Sequence, residues 1–148
     1  MAEKVFVGIS GGVDSGVAAA FLQRQGYEVY GATMVVYKTA QTRQMLADAR
    51  AVCAHLSIPH ETVDLTDRFD EVVVRNFMEE YRCGRTPNPC VQCNRHIKFG
   101  AFLEFALSRG MDYVATGHYA RIRYDATRDI YDLCRPASVR KDQTYFLY

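Results

Sequence analysis

Six ordered residues, Ser10-Gly11-Gly12-Val13-Asp14-Ser15, carry the clearest chemistry in this chain. They follow an apolar run, Val5-Phe6-Val7-Gly8-Ile9, that suits a buried strand. A strand that feeds a glycine-rich turn, which then opens a helix, aims backbone N–H groups and a helix N-terminus at one spot. That spot suits an anion such as a phosphate. The loop lacks the Gly-Lys-Ser/Thr of a P-loop and the G-x-G-x-x-G of dinucleotide binders.

A second block is Gly84-Arg85-Thr86-Pro87-Asn88-Pro89-Cys90-Val91-Gln92-Cys93-Asn94. Two thiols three residues apart fit half a zinc site, a redox pair or part of an iron–sulfur site. No second C-x-x-C or H-x-x-x-H completes a four-ligand zinc set. Cys93 is expected just before or at a helix start, where the macrodipole lowers a thiol pKa. Pro87 and Pro89 predict an irregular segment from Gly84 to Cys93. Cys53 and Cys83 read as helix residues with packing roles, and His55 and His60 as surface or capping residues.

The elements that must position these residues alternate. Strands are predicted at Val5–Ile9, Val29–Val36, Thr62–Leu65 and Tyr113–Thr116. Between them lie helices over about 14–25, with Val17, Ala18, Phe21 and Leu22 inward, and from about Thr42 to Leu56. Two more run over about 66–82 and 94–109. A hairpin is expected over 120–124 and 130–133. This pattern predicts an α/β fold, a Rossmann-like parallel sheet with helices on both faces. Ligands of such sheets sit beyond the C-terminal strand ends, where the glycine loop, Met34 and Gly117 would meet. Lys141 to Tyr148 reads as the first turns of an aromatic helix, so the chain is expected to be a piece of a longer one.

Bulk composition fits this picture. The chain has 148 residues, 49% hydrophobic and 24% charged, enough for one ordinary core. With 18 Lys and Arg against 17 Asp and Glu, the net charge is +1, which excludes a general polyanion magnet. The cations are nonetheless grouped: Arg82, Arg85, Arg95 and Lys98 occur without an acid between them, and residues 121–141 hold six cations against three acids. Two local phosphate-binding surfaces fit that grouping. No apolar stretch approaches the ~20 residues of a membrane span, and Met1-Ala2-Glu3-Lys4 runs directly into a strand without a signal peptide. Five cysteines at irregular spacing argue for chemistry or metal in a cytoplasmic setting rather than a disulfide framework.

The motifs Ser10–Ser15, Gly84-Arg-Thr-Pro-Asn-Pro, Cys93-Asn94, Ile97-Lys98-Phe99, Ala115-Thr116-Gly117-His118-Tyr119 and Lys141-Asp142-Gln143 occur in order. In that order they resemble the N-terminal ATP-pyrophosphatase (PP-loop) domain of the tRNA-specific 2-thiouridylases, a fold of the adenine nucleotide alpha hydrolase type. The resemblance spans residues 1–148 and implies a chain that ends before central and C-terminal domains. It implies ATP-dependent 2-thiolation of the wobble uridine of tRNA, by adenylation of the C2 oxygen followed by sulfur transfer from a cysteine persulfide or cluster-bound sulfur.

The resemblance also implies roles for matching residues. Gly8, Ile9, Ser10, Gly11, Gly12, Val13, Asp14 and Ser15 would wrap the ATP phosphates, with Asp14 positioning Mg²⁺ or the loop. Met34 and Gly117 would contact adenosine. Asn88, Pro89 and Cys90 would meet the target base, which must be flipped out. His118, Lys141, Asp142 and Gln143 match tRNA-contacting positions, and Cys93 matches the first of two catalytic cysteines. The second lies beyond Tyr148. A sulfur-relay protein or cysteine desulfurase would supply sulfur, and no membrane is implied.

One departure matters. The family often has Asp where this chain has Cys90. Cys90 and Cys93 together favour a 4Fe–4S cluster with a third cysteine. Two alternatives stand beside this reading. One is another PP-loop adenylating enzyme, for which the Pro-Asn-Pro-Cys-x-x-Cys-Asn block has no purpose. The other is a catalytically incomplete tRNA- or metal-binding fragment.

Overall fold

The computed structural model describes residues 2–148. The chain forms two compact units, one ending at Gly117 and one spanning His118–Tyr148. The first unit holds a four-stranded sheet: β1 (Lys4–Gly8), β2 (Glu28–Val35), β3 (His60–Asp64) and β4 (Tyr113–Ala115). Their order is β3-β2-β1-β4, and every pairing is parallel. Register places Gly8 opposite Ala32 and Gly31 opposite His60. The expected parallel α/β sheet is therefore observed.

Helices cover both faces. On one face, α1 (Val13–Arg24) and α2 (Ala40–His55) bury Ala19, Ala49 and Cys53 against Val5, Val7, Ile9 and Val29. On the other, Phe102 and Ala106 pack with Phe6, Ala32, Val63 and Met111. Phe6 has the rings of Tyr30, Phe102 and Phe105 about it, with centroids 6.0–6.2 Å away. These are the edge and offset distances aromatic pairs favour.

The buried face of α1 is only partly the expected one: Ala18 and Leu22 pack inward as expected. Ala19 is buried and Leu22 partly so, whereas Val17 and Phe21 are each 60% exposed. Small residues let this helix approach the sheet closely, and the larger side chains are turned outward. The start of α2 also differs. Thr39, not Thr42, is its N-cap, and the Thr42 amide donates to Thr39 Oγ1 at 3.2 Å.

Two longer helices contain π turns. Residues 66–82 form α3, wound as a π-helix over Asp70–Val74. Residues 89–108 form α4, wound as a π-helix over Cys93–Ala101. The stretch before Cys93, expected to be irregular, thus becomes helical at Pro89. Proline ends a helix it interrupts, but at the first helical position its missing N–H costs nothing. Asn88 caps it, its Oδ1 accepting from the Val91 amide at 3.3 Å.

The second unit carries the expected hairpin, β5 (Arg121–Asp125) and β6 (Ile130–Cys134). Asp125 holds its turn, accepting from Thr127 Oγ1 at 2.6 Å and Arg128 Nε at 2.7 Å. Beyond it, the expected aromatic helix is replaced by two short 3₁₀ turns, Val139–Lys141 and Thr144–Phe146. No helix among the described residues is long and apolar enough to cross a membrane.

Candidate nucleotide site

The glycine loop leaves β1 and enters α1 through a closed set of hydrogen bonds. Ser15, nearly buried, is the hub. Its Oγ donates to the Gly12 carbonyl at 3.0 Å and accepts from the Ser10 amide at 3.2 Å. Its one proton is thereby spent, so the Ser10 hydroxyl, 3.3 Å away, donates to it. Ser10 Oγ in turn accepts from the Gly12 amide at 3.4 Å. The loop's shape is thus held by its own two serines. No side chain caps the helix at Gly12, and Asp14 is the acid of its first turn. Gly12, Val13 and Asp14 are exposed. An uncapped helix N-terminus at the end of a parallel strand presents backbone donors of the kind that can bind an anion.

Two glycines allow the close packing around this loop. Gly11 has φ +78°, and a Cβ there would stand 2.7 Å from Asp48 Cβ. The loop therefore rests directly on α2. A Cβ on Gly117 would stand 2.9 Å from the Ser15 nitrogen, so the chain leaving β4 touches the first turn of α1. Met34 is also here: its Cε lies 3.2 Å from where a Gly8 Cβ would be. The structure thus gathers Gly8 to Ser15, Met34 and Gly117 at one edge of the sheet.

Sequence reasoning missed what lies beneath. Thr33 is 1% exposed, and its Oγ1 donates to the Ile9 carbonyl at 2.8 Å. His60 Nε2 lies 2.8 Å from the same Oγ1. His60 is thus a hydrogen-bonded member of the sheet, not a surface residue. Burial, and then Arg50, hold its imidazole below the ordinary histidine range. The missed signal was a lone threonine inside the apolar run of β2.

Cys93 differs from expectation. It is the fifth residue of α4, past the reach of the N-terminal dipole. Burial pushes its thiol up, while Lys98 pulls it down and Cys90 pushes it further up. Cys90, at the second helical position, is exposed. Among the described residues, no three His, Cys, Asp or Glu side chains gather to hold a metal ion. Within the described residues, Cys90 and Cys93 thus have no third side chain of that kind gathered beside them.

His118, Lys141, Asp142 and Gln143 belong to the second unit. Gln143 Oε1 accepts from the Tyr119 amide at 2.8 Å, and its own amide donates to the Tyr119 carbonyl at 3.2 Å. Lys141 Nζ sits 4.7 Å from the Tyr119 ring centroid, a cation–π distance. Asp142 accepts from the Thr144 amide at 3.0 Å, and the His118 ring meets Phe146 edge-on.

The family model described as the tRNA methyl transferase HUP domain matches residues 3–148. The chain belongs to that family. A member from Caldicellulosiruptor saccharolyticus, named tRNA-specific 2-thiouridylase MnmA, is 48% identical over 159 aligned residues. The match covers all of this chain and 44% of that protein, so the chain spans less than half the length of such curated relatives. The 2-thiouridylase resemblance read from the motifs is borne out. Solved structures share the fold. A predicted tRNA methyltransferase subunit from Methanocaldococcus jannaschii superposes with a TM-score of 0.56 at 20% identity, over 94% of this chain and 60% of that one. The U34-tRNA thiolase NcsA from Methanococcus maripaludis, solved with its [4Fe-4S] cluster, gives 0.55 at 24%, over 78% and 38%.

Proposed function

We propose that this chain is the ATP-binding, base-activating domain of a cytoplasmic tRNA uridine 2-sulfurtransferase, with the central and C-terminal domains lying outside it. The uncapped N-terminus of α1, with Gly117 against its first turn, carries this reading. The 48% identity to a named 2-thiouridylase supplies the acceptor.

The uridine C2 oxygen is a poor leaving group. In the proposed reaction it attacks the α-phosphorus of ATP. A C–O–P bond forms, the α–β anhydride breaks, and the N3 proton leaves as the C2–N3 bond becomes double. Pyrophosphate departs against the N-terminal turn of α1, whose position the Ser10–Ser15 bonds fix beforehand. Asp14 is the carboxylate at hand for Mg²⁺, which binds through one or two carboxylates plus phosphate oxygens and would share the developing charge. Met34 and Gly117 flank the adenosine.

Asn88 caps α4 and Pro89 and Cys90 open its first turn, where the flipped base would be met. A cysteine desulfurase or relay protein loads a persulfide onto the second catalytic cysteine, which lies outside this chain; its terminal sulfur attacks C2 and AMP leaves. The Cys93 thiolate then attacks the remaining persulfide sulfur. The S–S bond breaks, thiouridine is released, and the new disulfide is reduced by a thiol. His118, Lys141, Asp142 and Gln143 are assigned to tRNA.

Pyrophosphate release from ATP tests this reading. It should require unmodified tRNA, and Asp14→Ala should abolish it. Release that ignores tRNA would point to another adenylating enzyme. Binding of tRNA with no release would mark a binding fragment.

A further inference from the structure

Ile9 is the last residue before the phosphate loop, and both of its backbone polar groups are tied to β2. Its amide donates to the Ala32 carbonyl at 2.8 Å. Its carbonyl accepts from Thr33 Oγ1 at 2.8 Å. The Thr33 hydroxyl has one proton, already given to Ile9. Toward His60 Nε2, 2.8 Å away, it can only accept. His60 therefore carries its proton on Nε2, and the chain of donors runs His60 to Thr33 to Ile9.

We propose that His60 and Thr33 are positioning residues for nucleotide binding: they set the plane of the Ile9–Ser10 peptide and so aim the loop. The proposal rests on the reading of that loop as the ATP phosphate site. Geometry makes the relay specific. His60 stands opposite Gly31 in the β2–β3 register, and Thr33 lies two residues further on the same face. Because residue 31 has no side chain, nothing from its own position separates the imidazole from the hydroxyl. The Ser10 amide, on the other side of that peptide, is the donor that anchors Ser15 Oγ. A rotation of the peptide would shift the hub on which Gly12 also depends.

The test is the dissociation constant of Mg·ATP for the chain and four variants, measured by calorimetry well below each melting temperature. Thr33→Val keeps the volume but removes the hydroxyl, leaving a buried carbonyl without its donor. It should weaken binding about tenfold, and Thr33→Ser should restore it to within about twofold. His60→Leu should weaken binding, and His60→Gln, which keeps a donor, should recover most of it. The two His60 variants decide the matter if Thr33→Val does not fold. Lower melting temperatures with unchanged ATP affinity would show a purely structural role and overturn the proposal. A wild-type chain that binds no Mg·ATP would overturn the nucleotide reading, and the relay's role with it.

Discussion

Gly117 lies so close to Ser15 that a methyl group at position 117 would meet the Ser15 nitrogen at 2.9 Å. The contact is to backbone, which cannot swing aside as a side-chain tip would. It joins the end of β4 to the first turn of α1, across the place assigned to the nucleotide.

Gly117→Ala should therefore push the helix N-terminus and the β4 exit apart. Overpacking of this kind costs about 1–3 kcal/mol, so ATP affinity should fall by about tenfold. Titration with Mg·ATP checks this. Retained affinity would mean that the two segments separate without disturbing the phosphate site.

The thiols should react in a definite order. Because burial raises the Cys93 pKa, less of it is thiolate at neutral pH than of an ordinary cysteine. Iodoacetamide at pH 7.5 should label exposed Cys90 before Cys93, and the Cys93 rate should keep climbing above pH 9. Lys98→Met removes the charge that pulls this thiol down and should slow Cys93 further. Peptide mass spectrometry across a pH series gives both rates.

Stability should fall in mild acid. The His60 pKa is lowered in the folded chain, so the unfolded chain takes up the proton first, near its ordinary value of about 6.5. The stabilising share of neutral His60 is complete above that pH. It is lost as pH drops from there toward the folded value. Urea midpoints at pH 7.5 and 5.5 should differ less for His60→Gln than for the unsubstituted chain.

Gly31 and Cys53 form a size-matched pair. A Cβ at residue 31 would collide with Cys53 Sγ, and it would lie 3.4 Å from Ile9 Cγ1. Gly31→Ala should cost about 1–3 kcal/mol. Adding Cys53→Ala should return part of that loss, because the pair shares one space. A double-mutant cycle by denaturation measures the coupling, and strict additivity would contradict it.

The sheet, and the edge that gathers the glycine loop, were legible because a parallel sheet writes itself as apolar runs separated by helices. Val5–Ile9 and the six loop residues sufficed to place the glycine turn between β1 and α1. Other features depended on packing partners distant in sequence. Val17 and Phe21 look like core residues by type, yet the sheet admits only the smaller Ala19 and its neighbours. Pro89 reads as a breaker until Asn88 is seen to cap it, and that one shift moved Cys93 from a helix start into a half-buried interior. His60 looked peripheral because its partner, Thr33, sits 27 positions earlier.

The π winding at Cys93–Ala101 gives helix α4 slack in length. Such a turn spends one more residue per hydrogen bond than an α-turn does. Each helical residue turns the chain by about 100°. Loss of a single residue in this stretch, such as Gly100, would relax it to ordinary winding. The wide turn would have absorbed the loss, so Cys90 would keep roughly its face of the helix while Phe102 and Ala106 stayed in the core. A one-residue gap should therefore be better tolerated here than in the α-wound stretch Phe102–Ser108, where it would turn one end of the helix by about 100° against the other.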